Sequence, residues 1–350
     1  MIKVGITQGD INSVASEWIL KTLEDVRVFE FCTPVVYGSS KVLNYYKKIL
    51  ELPAVSLHTI NQAEDAGANR LNVVNVIGDE MVVEVGKPTA ESAKSATMAL
   101  TRALQDLKKG SIDVLLTAPA VSDSLQQIEV EIEQPKKGLK ISVCDSFRMA
   151  LATDKSSLSE IASVLTTELL TEKIKVLQHS LIHDFLLTSP RIAVLSLNPQ
   201  AGIREKLGKE EETIIAPAVK AASDAGIICF GPYSADQFFG SGDYRQFDAV
   251  LAMYFDQGMV AFQSITSGEG AIFTANLPYV FTSAHQDVSF EEAGKNTSSP
   301  DSFRTALYLA VDIFRNKLID KEINKNPLKK QFFERGSDNE KLDLTKEETD

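Results

Sequence analysis

Polar residues gather at the ends of short apolar runs, where a carboxylate can take or give a proton. Asp256, in Tyr254-Phe255-Asp256-Gln257-Gly258, closes the most hydrophobic run, and packing alone does not explain an acid there. Asp10 closes Thr7-Gln8-Gly9-Asp10 ahead of a helical stretch. The hydroxyl and amides of that loop suit either a helix cap or an anion, so Asp10 is either an N-cap or a site residue. Asn198-Pro199-Gln200-Ala201-Gly202 leads toward Glu210-Glu211-Glu212. Three carboxylates at a helix start read as a favourable dipole interaction.

Metal and nucleotide chemistry leave fewer traces. Of the four histidines, His179 and His183 stand at i, i+4 in a helical stretch from Lys173 to Phe185. That spacing puts two imidazoles on one face, but there is no H-E-x-x-H, and the pair reads as solvated or capping. His58 follows a strand-like stretch and reads as structural; His285, in Thr282-Ser283-Ala284-His285-Gln286-Asp287, is compatible with a site. No G-x-x-x-x-G-K-[ST] loop and no G-x-G-x-x-G after a strand is present. A dinucleotide bound here is therefore not bound in the standard Rossmann manner.

The elements that must position these loops follow from hydrophobic periodicity. Ile2–Ile6, Pro34–Tyr37, Ile112–Leu116, Arg191–Leu197, Gly226–Phe230 and Phe247–Met253 read as buried strands, each ending in turn residues. Between them lie helical patterns. Thr89 to Lys109 places Ala93, Ala96, Leu100, Leu104 and Leu107 on one stripe and stops at Gly110. Asp301 to Arg315 places Phe303, Leu307, Val311 and Phe314 likewise. Strand alternating with helix predicts an α/β fold with a largely parallel, doubly wound sheet, whose ligands sit outside the carboxyl ends of the strands. From Lys321 to Asp350 half the residues are charged and the periodicity fades, which reads as a flexible tail.

The bulk numbers agree. With 350 residues, 44% hydrophobic and 24% charged, a full core in two domains or two lobes is expected. A net charge of −12 argues against a nucleic-acid partner. Cys32, Cys144 and Cys229 lie far apart without zinc or redox spacing and read as buried thiols in a reducing compartment. No signal-peptide pattern and no apolar run near the ~20 residues of a membrane span is found, so a cytoplasmic protein with no membrane contact is expected.

The loops also carry a resemblance. Thr7-Gln8-Gly9-Asp10 resembles T-x-G-[DE]-P-A-G-I-G, and Leu116-Thr117-Ala118-Pro119 resembles T-[AG]-P. Leu197 to Gly202 is similar to L-N-P-H-A-G-E, Gly231-Pro232 with Ala235-Asp236 to G-P-x-x-A-D, and Ala249 to Gly258 to A-V-L-A-M-Y-H-D-Q-G. Leu277-Pro278, Thr282-Ser283 and Ala293-Gly294-Lys295 follow in the same order. On these motifs, from about residue 2 to 316, the chain is identified as a member of the 4-hydroxythreonine-4-phosphate dehydrogenase family. The resemblance implies an isocitrate/isopropylmalate dehydrogenase-like fold of two α/β lobes with a cleft between them. Residues 1–120 with about 275–320 would form one lobe and about 121–274 the other. It implies a homodimer and the NAD-dependent oxidation and decarboxylation of 4-hydroxythreonine 4-phosphate in vitamin B6 synthesis. It further implies a divalent metal on three histidines. Asp10, Asp236 and Asp256 are the catalytic candidates it carries over; Thr7, Gly9, Thr117, Pro119, Asn198, Gly202 and Gln257, with His285, are the cleft candidates.

The chain departs from the pattern at the metal. The three histidine positions correspond to Glu168, in Thr166-Thr167-Glu168, to Gln200 and to Phe255. Glutamate can bind a metal, glutamine binds weakly and phenylalanine cannot, so a divalent site of the family's type is not expected. On the substrate side, Ser122, Gln263, Ile272 and Phe281 stand where the family has lysines, an asparagine and an arginine. The phosphate-holding G-H-T-E segment is missing, with Val143-Cys144-Asp145-Ser146-Phe147 nearest its place. Three functions stay open: a dehydrogenase with a site rebuilt from Glu168, Asp256 and His285; a silent homologue that binds or regulates, pairing with an active relative; or an enzyme on a less charged ligand, with Phe255, Ile272 and Phe281 lining a greasier pocket.

Overall fold

The computed structural model describes residues 1–78, 81–120, 138–154, 156–202 and 207–325. Among these described residues there are twelve strands: β1 (Ile2–Thr7), β2 (Cys32–Gly38), β3 (Leu57–Ile60), β4 (Leu71–Asn75), β5 (Val114–Thr117) and β6 (Leu139–Cys144), then β7 (Phe147–Leu151), β8 (Ile192–Leu195), β9 (Cys229–Tyr233), β10 (Ala249–Ala252), β11 (Ala271–Ala275) and β12 (Val280–Ala284). The α-helices are α1 (Ala15–Leu23), α2 (Val28–Phe31), α3 (Ser40–Ile49), α4 (Ala90–Lys109) and α5 (Leu158–Val164), then α6 (Thr167–His183), α7 (Ala216–Asp224), α8 (Ala235–Gly240), α9 (Phe255–Thr266) and α10 (Asp301–Ile323).

All twelve strands join one sheet in the order β3-β4-β2-β1-β5-β12-β11-β6-β7-β10-β8-β9. Both wings are parallel, as the strand–helix alternation predicts. The centre is not: β12, β11, β6 and β7 pair antiparallel in turn. The two parallel wings thus share one sheet, stitched together by two hairpins.

Alternation along the strands sorts side chains to two faces. Val114 and Leu116 of β5, like Ala249 and Leu251 of β10, enter one cluster that runs under both wings. On the opposite face, Leu115 joins Val35, Tyr37 and the α4 residues Leu100 and Leu104, whereas Val250 and Ala252 join Met149 and Phe262 in a separate cluster. One face of the core is continuous and the other is split.

The helix boundaries follow local chemistry. Thr89 and Ser92 form a capping box at the start of α4, and Gly110 ends it in the left-handed region at φ 77°. The helix expected to end near Arg315 continues to Ile323, so the charged stretch from Lys321 begins as helix; the rest of the expected tail, from 326 on, lies outside the described residues.

α10 continues because it has somewhere to dock. Lys317 Nζ meets buried Asp184 at 2.8 Å, Asn316 donates to the Asp184 carbonyl, and His183 Nδ1 lies 2.9 Å from Asp320 Oδ1. His183 thus joins α6 to α10, while His179 is exposed, as the solvated reading has it. Ser180 also donates to Asp184. Lys317→Met, which keeps the stem but removes the charge, is expected to cost about 1 kcal/mol in urea denaturation.

Candidate active site

Two clusters of strand-end residues emerge. The first lies where β1, β5 and β12 end. Thr7 Oγ1 accepts a hydrogen bond from the Ala118 amide, and the Asp10 amide donates to the Pro119 carbonyl. Thr117 Oγ1 donates to the Thr282 carbonyl. Gly9, at φ 69°, lies so close to β5 that a Cβ would stand 2.5 Å from the Pro119 oxygen. Asp10 is 1% exposed; its carboxylate accepts from the Asn12 amide and from Ser92 Oγ at the start of α4. Burial pushes its pKa up, and those two hydrogen bonds oppose the shift. Asp10 is not the N-cap of α1, which is Val14; its carboxylate instead ties the β1 loop to the start of α4 through Ser92.

The second cluster surrounds a cavity of ≈ 600 Å³ at the carboxyl ends of β8, β9 and β10, where a parallel wing is expected to take a ligand. Ser196, Leu197, Asn198 and Pro199 come from the β8 loop, and Ser234, Ala235, Asp236 and Phe239 from the start of α8. Tyr254, Asp256, Gln257, Val260, Ala261 and Ser264 complete it. The last five recur at helical spacing, so one face of α9 forms a wall.

Within this wall, two kinds of polar group separate. Gln257 is spent on the backbone: its Oε1 accepts from the Met253 amide and its Nε2 donates to the Ser196 carbonyl, each at 2.7 Å. Asn198 Nδ2 donates to Glu210 and Glu211, and Glu211 also accepts from the Leu197 and Asn198 amides. Glu211 and Glu212 stand in a first helical turn, as the dipole reading has it, and Glu210 and Glu211 also latch the β8 loop. Asp236 and Asp256 are exposed and face the cavity. The Ser234 hydroxyl bonds Asp236 and holds its carboxyl below the usual range, so it stays ionised at neutral pH. Among the described residues, no lysine, arginine or histidine lines the cavity.

Several expected site residues lie elsewhere. Glu168 is exposed in the first turn of α6, after the N-cap Thr166, and not on the cavity wall; a hydroxyl followed by an acid is also how a helix starts, and that is what the motif is here. Gln200 is exposed in a short 3₁₀ turn, Pro199–Gly202, with φ 53°. Phe255 is 50% exposed, and it does not line the cavity. Phe281 is buried in the core against Leu277 and Leu115, and Ile272 sits in β11 opposite Ser142 and Ser283, so the greasier pocket expected from these three residues does not form. Val143 to Phe147 makes the β6–β7 hairpin, with Asp145 at φ 50°, and not a phosphate loop. Ser122 lies outside the described residues.

His285 is 9% exposed and stacks on Phe262 with centroids 4.6 Å apart; its Nε2 has no hydrogen-bond partner. With Glu168 and His285 both off the cavity wall, the rebuilt set of Glu168, Asp256 and His285 does not assemble. Burial pushes the His285 pKa down, with Asp287 opposing. The folded state then favours neutral imidazole, so its stabilising contribution is complete above the unfolded value of about 6.5 and is lost as pH falls through the folded value. Between pH 7 and 5 the melting temperature of His285→Phe is expected to fall less than that of the parent. Comparing the two proteins removes the opposite contributions of the raised carboxyls Asp10 and Glu17.

The cysteines supply no nucleophile: none lines the cavity, and burial pushes the Cys32 thiol up to about 12. Sequence reading missed Ser196, Ser234, Phe239 and Ser264; only Ser234, just ahead of the acid at a helix start, left a usable signal. No helix among the described residues is long and apolar enough to cross a membrane.

Residues 30–310 match the family described as pyridoxal phosphate biosynthetic protein PdxA. A 4-hydroxythreonine-4-phosphate dehydrogenase of Bacteroides thetaiotaomicron is 45% identical over 98% of this chain and 97% of its own length. One from Prosthecochloris aestuarii is 32% identical over 90% and 98%. Among solved structures, a 4-hydroxythreonine-4-phosphate dehydrogenase from Klebsiella pneumoniae superposes with a TM-score of 0.77 at 25% identity, covering 90% of this chain and all of that one.

Proposed function

The chain belongs to the PdxA family of pyridoxal phosphate biosynthetic proteins, and from that premise we propose that it serves the family's step in vitamin B6 synthesis, the NAD-dependent oxidation of 4-hydroxythreonine 4-phosphate. The observation that carries this reading is the near full-length 45% identity to the Bacteroides dehydrogenase. The cavity agrees with part of the chemistry. Oxidising a secondary alcohol releases the hydroxyl proton, and Asp256 or the ionised Asp236 faces the space where that hydroxyl would sit. NAD would take the hydride. The carboxylates and serines suit ribose hydroxyls, but among the described residues no cation on the wall answers a pyrophosphate. In this reading Asp256→Asn lowers kcat/KM by about 100-fold in an assay of NADH absorbance with the family substrate.

The wall itself favours a second reading. A wall with two carboxylates and, among the described residues, no cationic side chain is poorly matched to a phosphorylated substrate. The chain then acts as a binding or regulatory homologue, alone as a homodimer or paired with an active relative, or it works on a less charged ligand in the same cavity. The NADH assay decides between the two readings. Signal abolished by Asp256→Asn sustains the first; no signal with NAD, substrate and divalent metal supplied leaves the second. In the second case, co-purification with a tagged active family member tests the pairing.

A further inference from the structure

Divalent metal catalysis needs donors that converge, and the donors of this chain can be followed one by one. Every histidine is accounted for: His58 lies on β3, His183 meets Asp320 of α10 from α6, His179 is exposed beside it on α6, and His285 is stacked under Phe262. None lines the cavity. Cys32 and Cys229 are buried, with their thiols donating to the carbonyls of Val28 and Val219, and Cys144 ends β6. The cavity therefore offers no imidazole and no thiolate, the ligands that select zinc, cobalt, nickel or iron.

The oxygen donors are little better. The Gln257 amide oxygen is committed to the Met253 amide. Asp236 already accepts from Ser234, which leaves Asp256 as the carboxylate on the wall with no bond to a neighbouring side chain described. Among the described residues, no group of three or more histidines, cysteines, aspartates or glutamates is arranged to hold an ion. At the start of α9, Phe255 offers no donor atom at all.

We infer that the cavity at the ends of β8, β9 and β10 functions without a resident divalent metal ion. Its ligand is held by Asp236, Asp256 and the serine hydroxyls directly. The inference uses the family reading only to say that a divalent ion would have been needed, and it holds whether or not the chain turns over substrate. It also differs from a mere absence of activity, since a metal-free site can still bind and can still accept a proton at Asp256.

The test uses the full chain, loaded separately with Zn²⁺, Co²⁺, Mn²⁺ and Mg²⁺ and then gel-filtered. Elemental analysis is expected to find far less than one ion per chain. Co²⁺ is expected to produce no ligand-field absorption, and none of the ions to raise the melting temperature. A site occupied at 100 times its Kd would stabilise the fold by about 2.7 kcal/mol, which a melting curve resolves. One ion retained per chain, with a rise in melting temperature that Asp256→Asn removes, would overturn the inference. An NADH assay run in parallel with a chelator keeps the two claims apart. Turnover that survives the chelator supports both, whereas no turnover together with no bound ion refutes only the catalytic reading.

Discussion

Gly9→Ala is expected to destabilise the chain by about 3 kcal/mol, among the largest effects of any single methyl added to this fold. Two costs combine. At φ 69° an alanine sits in the left-handed region, which costs about 1 kcal/mol or somewhat more. Its Cβ would also stand 2.5 Å from the Pro119 oxygen and 3.0 Å from that of Ala118. Neither atom can rotate away, because both belong to the backbone at the end of β5. That backbone is pinned by the bond from the Ala118 amide to Thr7 and by the bond from the Asp10 amide to Pro119. Gly110→Ala is the control: φ there is 77°, yet nothing lies within 4 Å of an added Cβ. The difference between the two in urea denaturation isolates the contact from the dihedral. Equal losses would show that β5 yields to the methyl group.

The same loop shows how far a sequence can be read. Thr7, Gly9, Asp10, Thr117 and Pro119 were legible as one group because each follows an apolar run, and parallel strands place such ends together. What the sequence did not carry is the division of labour. Asp10 and Asp256 look alike as acids after strands, but one is 1% exposed against Ser92 and the other faces a cavity. Only tertiary packing separates them. The central hairpins were missed for a different reason. β6 and β7 are joined by a turn at Asp145 and Ser146 that lacks the glycine or proline found at the ends of β1, β2 and β5. Glu168 misled because a helix N-cap and a catalytic loop both use a hydroxyl followed by an acid.

Glu211→Ala is expected to cost about 3 kcal/mol and to loosen the cavity wall as well as the fold. The carboxylate is 7% exposed and is the shared acceptor for three donors: the Leu197 amide at 2.9 Å, the Asn198 amide at 2.7 Å and Asn198 Nδ2 at 3.0 Å. Truncation leaves the two part-buried amides unpaired, and Asn198 keeps only Glu210. Since Leu197 and Asn198 line the cavity, the loss has a second readout: amide hydrogen exchange should accelerate in residues 196–199 more than in β8 itself. Glu211→Gln separates shape from charge. Its amide oxygen can still accept from the two backbone amides, while its NH₂ faces Asn198 Nδ2, so a loss of about 1 kcal/mol is expected. If Gln and Ala prove equally damaging, the negative charge rather than the acceptor geometry holds the loop. Equal stability of Ala and the parent would mean that water replaces the carboxylate, and that the loop carrying Asn198 is shaped by Gln257 from the β10 side instead.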